Sequence, residues 1–115
     1  PESRDIQNLR KLETQISKHD IIFHFAGISD IEEASSKPIE VVKKNILSSV
    51  QILNLCVKHK VEKFIFASSI YVYSANGSFY RISKTTVEDM IQEYHRMFHL
   101  NYLILRLYTY YGKNS

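Results

Sequence analysis

Three short apolar runs alternate with three amphipathic stretches along this chain, and the two patterns have different periods. Residues 6–18 carry Ile6, Leu9, Leu12 and Ile16 at steps of three and four, with charged residues between them, the spacing of one helical face. Asp20 interrupts it. Ile21-Ile22-Phe23-His24-Phe25-Ala26-Gly27 then runs apolar to a glycine, as a strand buried on both sides of a parallel sheet does. From Pro38 to about His59 the apolar positions Ile39, Val42, Ile46, Val50, Leu53 and Val57 predict a long helix. Pro38 suits its first turn, where a missing N–H costs nothing. Lys63-Phe64-Ile65-Phe66-Ala67-Ser68-Ser69 reads as a second buried strand, and Ser74 to Ser78 as a polar loop. A further helix, from Tyr80 to about His99, is marked by Val87, Ile91, Tyr94 and Phe98. A third strand, Tyr102 to Tyr108, turns at Gly112. The expected strands are thus near residues 21–26, 63–68 and 102–108, and the two long helices near 39–59 and 80–99. Helices alternating with buried strands call for right-handed crossovers and a parallel α/β sheet with helices on both faces.

Composition narrows the function classes. The 115 residues include 44% hydrophobic and 23% charged side chains, the profile of one small globular domain or a piece of a larger one, which excludes disorder. Fifteen basic and 12 acidic residues leave a net charge of +3, and the excess is scattered, unlike the gathered face of a nucleic-acid binder. Its densest group, Lys58, His59, Lys60 and Lys63, falls where a helix should end and complements the helix dipole. No apolar run reaches the roughly 18 residues of a membrane span. The first residues do not read as a signal peptide, and a cytoplasmic location is expected. Cys56 is the single cysteine, which excludes an internal disulfide and a multi-cysteine zinc site; it reads as a small apolar residue on a buried helix face. The three glycines, Gly27, Gly77 and Gly112, are too far apart for G-x-G-x-x-G or a P-loop. His95 and His99 lie four apart on a helix, but with no third ligand in view they read as a solvated face. His24 reads as packed or hydrogen-bonded.

In an open parallel sheet, ligands bind beyond the carboxyl ends of the strands, here Ala26-Gly27, Ser68-Ser69 and Tyr108 to Gly112. Gly27 read alone makes a turn, and the two serines read alone cap the following segment. Tyr80 and Lys84 shift that balance. Four apart at the start of a helix, they project from one face, and an ammonium beside a phenol favours phenolate, lowering a pKa that starts near 10. A Y-x-x-x-K spacing is common on solvated helices; here it follows a strand ending in Ser-Ser, whose hydroxyl could hold the oxygen that the tyrosine deprotonates.

On these residues the chain resembles the extended short-chain dehydrogenase/reductases, specifically the NAD-dependent sugar-nucleotide epimerase/dehydratase group. Five segments carry the resemblance in order: His24-Phe25-Ala26-Gly27, Asn45 in the long helix, Phe66-Ala67-Ser68-Ser69-Ile70-Tyr71-Val72-Tyr73, Tyr80-Arg81-Ile82-Ser83-Lys84 with Glu88, and Leu105-Arg106-Leu107-Tyr108-Thr109-Tyr110-Tyr111-Gly112. It implies a Rossmann-like, doubly wound parallel sheet, present in part as three core strands with flanking helices. Residues 1–115 would then be the central part of an NAD(P)-binding domain. The glycine-rich unit would precede them and the substrate lobe would follow.

By the resemblance, Asp5 and Ile6 match the pair that lies against adenine, Ala26 and Gly27 the backbone passing the dinucleotide, and Asn45 an asparagine of the active-site surroundings. Ser69 matches the catalytic Ser/Thr, Tyr80 the catalytic base, and Lys84 its partner, which also binds the nicotinamide ribose. Three features depart from the pattern: Thr109 for asparagine, Ser74 for glycine, and a loop of only six residues between Tyr73 and Tyr80. Where the 4,6-dehydratases carry an Asp-Glu pair, this chain has Ile70-Tyr71, which cannot eliminate water near neutral pH.

The implied function is an epimerase acting on a nucleotide sugar, with NAD as cofactor (NADP possible) and Tyr80 as general base. A sugar-nucleotide or carbonyl reductase is the alternative, and a non-catalytic dinucleotide-binding protein a further one. A nucleic-acid or protein-interaction domain finds no support in the scattered charge. The resemblance also implies a homodimer paired through the two long helices, whose apolar residues outside the sheet-facing stripe were expected to include Leu47, Leu55, Met90 and Met97.

Overall fold

A computed structural model describes residues 2–25, 37–69 and 78–107. Helix α1 spans Glu2–Ser17 and leads into strand β1, Ile21–Phe25. Helix α2 is continuous but not uniform: it opens at Pro38–Val41, passes through a π-helical stretch at Val42–Leu47 and resumes at Ser48–Lys58. Strand β2, Lys63–Ser69, helix α3, Ser78–Phe98, and strand β3, Tyr102–Leu107, complete the order. These bounds lie within one or two residues of those expected for the three strands and two long helices; α1 begins four residues before its first apolar marker.

The sheet has the order β1-β2-β3, all parallel. The register sets His24 beside Phe66 and Phe66 beside Ile104. Because both crossovers step in the same direction, right-handed connections bring α2 and α3 to the same face, and α1 joins them by packing on α2. Helices were expected on both faces; those of the described residues cover one. Alternate strand positions record the difference. Phe64 and Phe66 point into the helices and are buried, while Ile21, Phe23 and Leu103 point the other way and are exposed.

One core joins the covered face to the helices: Ile16 from α1, Ile52, Leu53 and Cys56 from α2, Phe64 and Phe66 from β2, and Val87, Ile91 and Tyr94 from α3. Cys56 is buried and its thiol is pushed up to about 12 by desolvation, so it is an inert core residue.

The helix ends are fixed by backbone turns that the glycine-poor sequence makes with other residues. At the end of α2, Lys60 adopts φ 53° and donates its N–H to Val57, while Val61 N–H reaches back to Cys56 at 2.9 Å, a Schellman motif. His99, after α3, adopts φ 61° with its N–H on the His95 carbonyl, and the His95 Nδ1 donates to the Leu100 carbonyl at 2.9 Å. That bond holds the His95 ring to the chain leaving α3. No group of three metal-ligating side chains occurs among the described residues. The basic cluster sits at the α2 terminus as expected, with Lys58 and His59 both on Glu13 of α1 at 2.6 and 2.8 Å.

Candidate active site

The buried face of α2 follows the apolar stripe only in part. Leu53 is fully buried and Ile46 and Val57 pack against the core, but Ile39 and Val42 are exposed, and Val41, Asn45, Ser49, Ile52 and Cys56 are buried at steps of four, four, three and four. Two of those five are polar. Burying such groups is unfavourable unless they are hydrogen-bonded, and here they are. The Asn45 Nδ2 donates to Ser83 Oγ on α3 at 3.0 Å. Ser49 donates its hydroxyl to the Asn45 carbonyl at 2.6 Å. His24 at the end of β1 meets that hydroxyl oxygen through Nε2 at 3.1 Å. Asn45 lies inside the π-helical stretch, a geometry found often at functional sites.

Lys84 follows Ser83 and is 1% exposed. Its ammonium lies 5.6 Å from the centroid of the Phe66 ring, within cation–π range. Desolvation holds the ammonium down to about 7, far below an ordinary lysine. Burial and the charge of Lys84 together pull the His24 imidazole down to about 4, so it is neutral at pH 7. Solvated-helix spacing therefore does not explain the Y-x-x-x-K pattern: its lysine is among the most deeply buried side chains described. Glu88, one turn further along α3, is buried as well and takes Arg106 of β3 in an ion pair at 2.5 Å.

The backbone brings the three expected catalytic positions to one end of the sheet: Ser69 is the last residue of β2, and Tyr80 and Lys84 lie one turn apart in the first half of α3. The side chains of Ser69 and Tyr80 lie outside the described residues, as do Ala26, Gly27, Ile70, Tyr71, Ser74 and Thr109. Asp5 and Ile6 fall in the first turns of α1, with side chains likewise outside. Asn45, expected near the site, contacts Ser83 beside Lys84. Apolar patterning did not single out Ser49 or Ser83; their signal is their position, four residues after Asn45 and one before Lys84.

The model of one family, the NAD dependent epimerase/dehydratase family, matches residues 2–115. The chain belongs to that family. Among its relatives, the UDP-glucose 4-epimerase of Dictyostelium discoideum is 35% identical over 71 residues, 60% of this chain and 21% of the relative. The dTDP-D-glucose 4,6-dehydratase of the same organism is 27% identical over 119 residues, 83% of this chain and 27% of the relative. A solved structure of the UDP-glucuronic acid 4-epimerase from Bacillus cereus in complex with NAD is similar at TM-score 0.73 and 28% identity, covering 90% of this chain and 37% of that one. The chain thus spans between about a fifth and two fifths of the length of these family members.

Proposed function

We propose that this family member is the central part of an NAD-dependent epimerase that acts on a nucleotide-activated sugar. The observation that carries the reading is Lys84: buried against Phe66 and titrating near neutrality, it stands one helical turn from Tyr80 on the helix that follows the strand ending in Ser69. A lysine in that state can hold or release a proton at Nζ under working conditions.

Of the described side chains, Lys84 is the one that would hold the nicotinamide ribose; by the family pattern Ala26-Gly27 would give the backbone past which the dinucleotide runs, with Asp5 and Ile6 toward adenine. NAD, when bound, supplies the acceptor and donor of hydride. The protein's part is to move a proton. Tyr80, as phenolate, takes the proton from a sugar hydroxyl, and a general base of this kind contributes about 10²- to 10⁴-fold. Lys84, in its protonated form, stabilises the phenolate by its positive charge. Ser69 holds the sugar oxygen by a hydrogen bond, and Asn45 keeps the Lys84 segment of α3 in place through Ser83.

Ile70-Tyr71 lacks the acid and base that elimination of water requires, which favours epimerisation over dehydration. The reductase alternative differs in stoichiometry: an epimerase regenerates its cofactor in every turnover. The complete protein, incubated with NAD and a UDP-hexose and followed by anomeric proton NMR, should interconvert two sugar epimers with no net NADH. Oxidised or reduced sugar accumulating in step with cofactor would replace the epimerase by the reductase.

A homodimer is proposed on the same helices. Leu47 and Met97 are 50% and 53% exposed, as an outer apolar face requires. Leu55 and Met90 do not serve it: Leu55 is 9% exposed within the core cluster and Met90 packs against that cluster, because both lie on the flank of their helix that faces the sheet.

A further inference from the structure

We infer that His24 and Ser49 are positioning residues, which hold the Asn45 turn and through it the lysine segment of α3; this rests on the functional reading above. Hydrogen bonds run from His24 through Ser49 and Asn45 to Ser83, the residue that precedes Lys84. Ser49 has a single hydroxyl proton, and the Asn45 carbonyl takes it at 2.6 Å. The contact between His24 Nε2 and Ser49 Oγ, 3.1 Å, must therefore run the other way, with Nε2–H donating. The imidazole is thereby fixed as one tautomer. Its ring also lies beside the rings of Phe64 and Phe66, centroids 6.1 and 5.8 Å away.

Each link joins a different element: β1 to α2 through His24 and Ser49, the π-helical stretch to the regular helix through Ser49 and Asn45, and α2 to α3 through Asn45 and Ser83. Ser49, Asn45 and Ser83 are all 2% exposed or less, so water cannot replace a lost partner without entering the core. The π-helical stretch is the part of α2 least able to hold itself, since it departs from the favoured i→i+4 pattern. A second hydrogen bond on the Asn45 carbonyl and a rigid ring behind it compensate for this, and they set where the Asn45 amide meets α3. Small displacements near reacting groups are costly: about 1 Å can cost roughly 10²-fold in rate.

Two measurements on the complete protein test this. In the first, turnover of a UDP-hexose by Ser49→Ala should fall about 10- to 100-fold with KM within about twofold of the parent, and Ser49→Thr, which keeps the hydroxyl, should restore most of it. Parent-like turnover in Ser49→Ala, or failure of Ser49→Thr to restore it, overturns the positioning role. The second needs no activity: ring ¹⁵N shifts of His24 should report the Nε2–H tautomer at pH 7 in the parent, and a changed tautomer balance in Ser49→Ala. An Nδ1–H tautomer in the parent overturns the network even if the protein is an epimerase. Absence of epimerase activity in the parent instead overturns the functional reading, and the ¹⁵N result still decides the network.

Discussion

Lys84 lies with its ammonium 5.6 Å from the centroid of the Phe66 ring, and its burial there makes the stability of the fold depend on pH. Between about 7, its value when folded, and about 10.4, its ordinary value, the unfolded chain binds the proton that the folded chain has lost. Stability therefore rises with pH across that window. Above pH 9 the Cys56 thiol, raised to about 12 by burial, acts in the opposite direction because the unfolded thiol ionises first. Urea unfolding at pH 7 and pH 9 should show the parent gaining stability and Lys84→Met gaining less. An equal change in both would show that Lys84 does not titrate near 7.

The Glu88–Arg106 pair ties α3 to β3 with its carboxylate buried and its guanidinium half exposed. Removing only the cation leaves an uncompensated buried charge, the costly direction. Arg106→Met should destabilise by about 2 kcal/mol, and the double change Arg106→Met with Glu88→Met by less than the sum of the two single changes. Denaturant midpoints of the four proteins check this, and strict additivity would refute the coupling.

His99 holds a left-handed conformation, φ 61°, that costs a residue with a Cβ roughly 1 kcal/mol. Its backbone closes the end of α3, and no hydrogen bond of its side chain is found among the described residues. His99→Gly should raise the melting temperature by a few degrees, a gain of up to about 1 kcal/mol. A fall would mean that the imidazole contributes more than its backbone costs.

Leu47 and Met97 offer exposed apolar surface on α2 and α3. The complete protein should sediment as a dimer at micromolar concentration, and Leu47→Lys should shift it toward monomer. A parent that sediments as a monomer contradicts the pairing.

The strands were legible because each is built on a short run of mostly apolar residues, Ile21-Ile22-Phe23, Phe64-Ile65-Phe66-Ala67 and Tyr102-Leu103-Ile104-Leu105, and α3 because Val87, Ile91 and Tyr94 repeat on its buried face. The buried face of α2 was legible only in its second half, where Leu53 is buried and Val57 packs on the core. In its first half the inward positions include Asn45 and Ser49, so the polar residues there interrupt the apolar period, and the stripe members Ile39 and Val42 are exposed. The Tyr80–Lys84 spacing was visible, but the chemistry depends on Lys84 being buried, a product of packing between α2, α3 and β2 that no spacing within one helix contains. The side on which the helices lie follows from strand order, which the linear pattern leaves open.

The most direct test of the proposed chemistry removes one oxygen atom. Tyr80→Phe keeps the ring, so the complete protein should fold and bind NAD as the parent does, while its conversion of a UDP-hexose to the epimer falls by at least about 10²-fold. Lys84→Ala should do comparable damage and also weaken NAD binding, and Ser69→Ala should cost less because it orients the oxygen without taking its proton. Near-parental turnover by Tyr80→Phe would contradict the account, whatever the fold.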